Sequence, residues 1–477
     1  MEHESILRNI KDIEATTSQL DPDEETRTRY MDHTITYVNN FLKHLPDMQG
    51  YTKSNFEKLN ALTISEEPKS METLLEVLDE VDNGGINTAS GRHLGFIPGG
   101  GLWASSVADM LAATTNRYAG VAYSNPGAVR IEHQLIEWLT SLVGYPTTAY
   151  GNLTSGGSIA SLTAIKAARD HHGICSENVR KSVVYLTAHT HHCIHKALHT
   201  TGLHEAVIHQ IPMTATFQMH TLALREAIQS DLAKGLRPFL VVATAGSTDT
   251  GAVDDMTAIA DLCESHNMWM HVDAAYGGFF MLLDEMASTF KGIERSHSVV
   301  LDPHKSLFLP YGSGAVLVRE REILLASNSL KASYMKDAAD TLDISPADTG
   351  IELSRHNRAL RMWLPLHLHG LKPFRDALRE KLALCKIFHE RIKELGFETG
   401  PTPDLSVSIF RLPEEDNSLN EQLVNELHAD GTVFLSSTLI NGKLWIRCAI
   451  LSHRTHAREI ELALGMIERC KAHVISD

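Results

Sequence analysis

The chain predicts an α/β fold: a mostly parallel sheet covered by helices on both faces, followed by a smaller α+β region. Three observations carry this. From about residue 105, short β-branched apolar runs alternate with longer stretches of helical periodicity. The runs are continuously apolar, the pattern of strands buried on both faces. Helical segments such as TLALREAIQSDLAKG and DDMTAIADLCESHN separate them, as crossovers between parallel strands require.

In chain order, the first region is helical. LDPDEETRTRYMDHTITYVNNFLKHLP opens with Asp21 as a cap, Pro22 in the first turn, and Glu24 and Glu25 at the positive end of the helix. Met31, Ile35, Val38, Leu42 and Leu45 recur at helical spacing, and Pro46 follows the stop. One apolar stripe makes no core of its own, so the region up to about residue 90 is expected to dock on something else, such as a second subunit. Strands are expected at SVVYLTA (182–188), AVIHQI (206–211), FLVVATA (239–245), MWMHVDAA (268–275), SVVLD (298–302) and GAVLVR (314–319). After residue 355 a long amphipathic stretch leads to the strands LSVSIFRL and KLWIRCAI and a final helix.

Composition narrows the function. With 477 residues, 43% hydrophobic and 21% charged, the chain can bury more than one core. A formal net charge of −16 argues against nucleic acid or an anionic membrane as partner. No run approaches the ~18–20 apolar residues of a membrane span. The N-terminus MEHESILRNIKDIEATT lacks the apolar core of a signal peptide. Six well-separated cysteines without a CxxC pair fit reduced thiols. A cytoplasmic protein is expected.

Lys305 is the residue that most needs explaining. It sits in SVVLDPHKSLFLPYGSGAVLVR between Asp302, Pro303 and His304 on one side and Leu307, Phe308 and Leu309 on the other. Burying an ammonium is costly unless it is paired or loses its proton. A stem lying on apolar surface with its head in water is the plain alternative. Other polar residues also follow strands, where open parallel sheets collect ligands. Asp273 ends MWMHVD, Thr244 and Ser247 follow FLVVA, and His191 follows VVYLTAHT. Gly156, Gly157 and Ser158 precede a helix, where free N–H groups and the helix dipole bind phosphate. Each feature alone has an ordinary reading as a turn or a cap. HTHHCIH (189–195) also reads as a metal site, since His191 and His195 share a helical face, but no carboxylate lies at a supporting spacing.

Together these residues suit pyridoxal 5'-phosphate, which needs an amine for attachment, an anion at its pyridine nitrogen, a flat group over its ring and an anion cradle. Lys305 is expected to be the amine, with a pKa lowered by desolvation. Asp273 is expected to pair with the pyridinium and His191 to stack on the ring. Gly157 and Ser158, helped by His304, are expected to hold the phosphate.

HVDAAYGG (271–278), followed 32 residues after Asp273 by the lysine of DPHK, resembles the pyridoxal-phosphate-dependent group II decarboxylases of the aromatic-amino-acid and glutamate decarboxylase kind. GFIPGGGLWASSVADMLAATTN, TSGGSIASL, ATAGSTDTGAVDD and SRHNRALRMWLPLHLHG extend the resemblance over most of the chain. It implies the aspartate-aminotransferase-like fold, type I among pyridoxal-phosphate enzymes, with a seven-stranded sheet. It also implies a homodimer and decarboxylation of an amino acid to its amine and CO2. It divides the chain into a helical arm and substrate-side segment (1–105), a large cofactor-binding α/β domain (106–360) and a small C-terminal α+β domain (361–477). Thr244 and Ala275 join the cofactor residues, and Tyr334 in LKASYMKDAAD becomes the proton donor to the reacting carbon.

Three departures leave the substrate open. Ser306 replaces a large aromatic after DPHK, Asp302 stands where Asn is frequent, and Gly120 replaces a bulky ring of the animal aromatic enzymes. Phe96, Ile97, Trp103 and Tyr118 suggest an apolar substrate pocket. Arg92 and Arg117 instead offer contacts for an acidic side chain, with a surface or structural role as the plainer reading, and Arg447 on KLWIRCAI is a candidate contact for a carboxylate. An aldehyde-forming oxidative decarboxylase, an aminotransferase and a metal-dependent hydrolase on the histidine cluster are the other readings.

Overall fold

The computed structural model describes residues 2–329, 343–413 and 416–476. Two units are present, Met1–Ser90 and Gly91–Asp477. In the first, the long helix Glu24–His44 is capped by Asp23, whose carboxylate accepts from Thr26 N–H at 2.8 Å. Asp23, not Asp21, is therefore the cap, because the first free N–H groups lie within reach of the residue just before the helix. Tyr37 Oη donates to Asp82 Oδ2 at 2.7 Å, tying this helix to Met71–Asp82. Strands β1 (Tyr51–Thr52) and β2 (Gly85–Ile86) pair antiparallel. On the apolar stripe Leu45 is buried, whereas Ile35 is 50% exposed. The helix Glu2–Thr17, absent from the sequence reading, carries Ile6, Leu7, Ile10 and Ile13, all exposed.

The second unit contains the expected seven-stranded sheet. Its strands are β3 (Tyr150–Thr154), β4 (Ser182–Leu186), β5 (Val207–Gln210), β6 (Arg237–Thr244), β7 (Trp269–Asp273), β8 (Ser298–Leu301) and β9 (Gly314–Val318). Their order is β3-β9-β8-β7-β6-β4-β5. Pairs from β5 through β8 are parallel, and β9 runs antiparallel to both β8 and β3. Alternate residues of one strand feed different cores: Val183 and Tyr185 one side, Val184 and Leu186 the other. That split shows the sheet is covered on both faces.

The sequence reading misses β3, and the cause is its composition. YGNLT has one large aliphatic residue, and Asn152 is buried with Nδ2 donating to Pro346 O at 2.7 Å and Thr349 Oγ1 at 2.8 Å. Strand β9 is legible as a strand but not as antiparallel. Its connection from β8, residues 302–313, contains no crossover helix, so the chain folds directly back. That return loop carries Lys305.

The smaller sheet comprises β10 (Glu398–Thr399), β11 (Val407–Arg411), β12 (Ser436–Ile440) and β13 (Lys443–Ala449), ordered β10-β11-β13-β12 and antiparallel. Phe388, Phe410, Leu427, Ile446 and Ile467 belong to the core it shares with the surrounding helices. The segment after Gly91 joins its edge, with Leu94 N–H donating to Phe434 O at 2.9 Å and Ala449 N–H to Leu94 O at 2.8 Å.

A buried ion pair braces β3 of the large sheet. Arg355 Nη2 meets Glu132 Oε2 at 2.7 Å, both side chains nearly inaccessible, and Leu153 N–H donates to Glu132 Oε1 at 3.2 Å. Removing one partner strands a buried charge. Arg355→Met is therefore expected to destabilise the protein by about 3–5 kcal/mol. Denaturant unfolding checks this, and the double variant with Glu132→Gln should recover part of the loss.

Candidate active site

Four strand ends converge on one cavity of about 300 Å³ at the carboxyl edge of the parallel strands. Asp273 ends β7, and its Oδ1 accepts from Ala275 N–H at 3.1 Å, so the carboxylate is fixed by the turn that follows it. Lys305 and His304 come from the β8–β9 return. His191 caps the helix His192–Thr200, its Nδ1 accepting from Cys193 N–H at 3.4 Å. Ser155–Ser158 lead from β3 into the helix Gly157–His171. All of these residues line the cavity. A larger hollow of about 720 Å³ in the first unit is lined by residues such as His33, Tyr37 and Glu72. It contains none of the residues singled out by sequence.

The helix start is shaped for an anion. Gly156 has φ of +149°, which glycine tolerates and side chains resist. A Cβ on Gly157 would lie 2.7 Å from Asp302 Oδ2, so only glycine leaves this backbone open. The first-turn N–H groups of a helix have no intrahelical acceptor and favour negative charge. An amine, a fixed carboxylate, a flat imidazole and an open helix start thus share one cavity, the donor set that pyridoxal phosphate requires. The residues fit the group.

Electrostatics correct one expectation. Lys305 Nζ lies 3.0 Å from Asp302 Oδ2. Burial alone would lower its pKa, but the carboxylates of Asp302 and Asp273 outweigh it and hold the amine above the usual lysine range. Desolvation is opposed by Asp302, which the turn brings to 3.0 Å from the amine. Burial lowers the pKa of His191, leaving a neutral ring at neutral pH. It acts likewise on His304, whose Nδ1 is bonded to Ser313 O.

The remaining residues are placed as follows. Thr244 is buried at the end of β6 beside Asp273, outside the cavity lining, its N–H donating to Asp254 Oδ2 at 2.8 Å. Phe96, Ile97, Trp103 and Tyr118 are also outside that lining. Ile97 belongs to the core, Phe96 and Trp103 are about half exposed, and Tyr118 Oη donates to Leu353 O at 2.9 Å. Their segment nonetheless abuts the lysine loop: a Cβ on Gly99 would lie 1.9 Å from His304 O. Tyr334 lies outside the described residues. Arg117 is exposed and Arg92 is buried. Arg447 donates to Asp249 O, Ser436 Oγ, Phe96 O and Thr248 O, so its guanidinium is engaged in bracing loops.

Sequence reasoning overlooked Ser155 and Cys193, both cavity-lining. Cys193 is buried against Ser161, and burial pushes its thiol up to about 12. Its position two residues after His191 was the available signal. The departures have local reasons. Ser306 Oγ donates to the Tyr276 carbonyl at 2.6 Å, and Gly120 faces Leu353 O where a Cβ would come within 2.4 Å.

Comparison with known proteins identifies the family. A family model described as the pyridoxal-dependent decarboxylase conserved domain matches residues 54–412, and the chain belongs to that family. It is a pyridoxal-phosphate-dependent amino acid decarboxylase. It is 34% identical to an aromatic-L-amino-acid decarboxylase of Bacillus atrophaeus over 379 residues, 77% of this chain and 78% of that protein. It is 25% identical to a phenylacetaldehyde synthase of Arabidopsis thaliana, over 95% of this chain and 97% of that one. The solved structure of Oryza sativa TDC with PLP and tryptamine superposes with a TM-score of 0.88 at 23% identity, covering 94% of this chain and 98% of that one. That likeness shows the shared fold.

Gly157→Ala tests the cradle. The added methyl must displace Asp302, a short buried side chain already paired to Lys305. The variant is expected to fold but to retain cofactor at least roughly tenfold more weakly, a loss of about 1.4 kcal/mol or more. Titration of the cofactor-free variant by visible absorbance measures this.

Proposed function

We propose that this enzyme removes the α-carboxylate of an aromatic L-amino acid, releasing the amine and CO2. The observation that carries the reading is the convergence of Lys305, Asp273 and the Gly157 helix start in one cavity. The 34% identity to an aromatic-L-amino-acid decarboxylase supports the substrate class.

Pyridoxal phosphate, when bound, supplies the electron sink that accepts the bonding pair as CO2 departs. Lys305 offers the amine for its attachment. Asp273, held by Ala275 N–H, keeps a proton on the pyridine nitrogen through charge complementarity. His191, an uncharged imidazole lining the cavity, would offer a flat face to the cofactor ring and shield it from water. The N–H groups of Gly157 and Ser158 would hold its phosphate, with His304 closing that side of the cavity. Ala275 lines the cavity beside Asp273, and Thr244, paired with Asp273 across β6 and β7, supports that strand end from outside the lining. Tyr334 donates its phenolic proton to the substrate α-carbon after CO2 leaves. The segment carrying Phe96, Trp103 and Tyr118 abuts the lysine loop at Gly99 and is assigned the substrate side, with Ile97 anchoring it in the core.

Arg447 is engaged with backbone carbonyls and Arg117 is exposed, which favours an apolar over an acidic substrate. An aldehyde-forming outcome has one supporting observation, the resemblance to a phenylacetaldehyde synthase. The presence of Tyr334 and His191 favours the amine.

We also propose a homodimer, supported by the half-exposed apolar stripe of the first unit, and a reducing cytoplasmic setting, supported by six unpaired cysteines. Among the described residues no helix is long and apolar enough to cross a membrane. Sedimentation of the holoprotein should give twice the chain mass; a single-chain mass contradicts the dimer.

A panel of the standard L-amino acids, with amine and aldehyde both quantified, tests the reaction and its proton donor together. The wild type should give amines from aromatic substrates, and product from acidic substrates alone contradicts the reading. Tyr334→Phe should shift product toward aldehyde, ammonia and hydrogen peroxide, with O2 consumed. Unchanged amine yield would move the proton to another donor, His191 first.

A further inference from the structure

Asp302 has no part in the scheme above, yet it is the acid in direct contact with Lys305. It is 2% exposed, with Oδ2 3.0 Å from Lys305 Nζ and 3.7 Å from His304 Nε2. Its Oδ1 is buried without a hydrogen-bond partner among the described residues. The backbone holds acid and lysine together: Asp302 N–H donates to Ala275 O at 3.2 Å, and Lys305 N–H to Asp302 O at 2.9 Å. At Gly157 a methyl would lie 2.7 Å from Asp302 Oδ2, and the chain carries no side chain there. The other titratable groups facing Lys305 are Asp273, Cys193, His191, His304 and Tyr311. Burial keeps the two imidazoles uncharged at neutral pH and the Cys193 thiol protonated. A carboxylate beside an anion cradle repels phosphate unless a cation neutralises it, and Lys305 is the cation in contact.

We propose that Asp302 is a positioning residue that holds the free Lys305 amine as an ammonium beside the helix start, so that covalent capture of the cofactor waits on loss of that proton. The inference rests on Lys305 being the attachment point. Capture joins the neutral amine nitrogen to the aldehyde carbon as a C=N bond. The aldehyde oxygen leaves as water with the two amine hydrogens, and the third proton of the ammonium passes to solvent. The sign follows directly. Asp302 stabilises the charged amine, so removing its charge lets burial release the proton at lower pH.

The test uses full-length protein freed of cofactor by a competing amine and dialysis. Pyridoxal phosphate is added, and the rate of covalent incorporation is followed by absorbance from pH 6 to 10. Incorporation by the wild type should be slow at pH 7 and rise steeply with pH. Asp302→Asn should move the profile at least one unit lower, which is about tenfold faster capture at pH 7. Asp302→Glu should restore a profile close to wild type. Superimposable profiles for wild type and Asp302→Asn would overturn the proposal. Equal acceleration at every pH would also overturn it, assigning Asp302 to phosphate repulsion instead. If Asp302→Asn fails to fold, a pH-independent wild-type rate overturns the proposal and a steep one supports it. No incorporation at Lys305 in the wild type would sink both this inference and the reading beneath it.

Discussion

A charged amine buried at the carboxyl edge of the sheet is the constraint on which the site depends. The Lys305 side chain is 18% exposed, where it faces the cavity, so most of the solvation of its charge must come from groups in fixed positions. Asp302 meets it at 3.0 Å, and Asp273 adds to the same field from the end of β7. Both carboxylates are set by backbone: Asp273 by the turn to Ala275, and Asp302 by the return from β8 to β9. The antiparallel course of β9 is thus more than a topological detail. A crossover helix at that point would send the chain across a sheet face, whereas the direct return leaves the lysine loop at the sheet edge, facing the helix start.

Close packing then fixes what surrounds the loop. Gly99, Gly157 and Gly314 sit where backbone or a carboxylate approaches too closely for a side chain, and Gly156 is required by its φ. Four separate stretches of sequence therefore meet within a few ångströms. The Glu132–Arg355 pair adds a brace from the helix Pro126–Val143 to the segment after Tyr334. Polar interactions of this kind are costly to leave half made, so they specify one arrangement of the site's supports.

Much of this was legible in the sequence, and for identifiable reasons. Continuous apolar runs reveal strands buried on both faces, which is why β4 to β9 are recognisable from composition. Strand β3 is not, because its burial relies on Asn152 making hydrogen bonds to residues almost two hundred positions away. The polar residues that follow strands are legible because strand ends in parallel sheets lie side by side, which brought Asp273, His191, Lys305 and the glycine loop into one reading. What the sequence concealed was electrostatic sign. Desolvation of Lys305 can be inferred from its apolar neighbours, but the three-residue separation from Asp302 becomes an ion pair only once the turn is formed. The cap at Asp23 and the helix Glu2–Thr17 were missed for the opposite reason: local signals there are spread over several equally polar residues.

The central claim is that the buried lysine of the β8–β9 return is the covalent anchor. Borohydride reduction of the holoprotein followed by peptide mapping tests it most directly. A pyridoxyl group is expected on Lys305, carried in the peptide that spans Asp302 and His304. A label on any other lysine, or none after reduction of coloured protein, would contradict it.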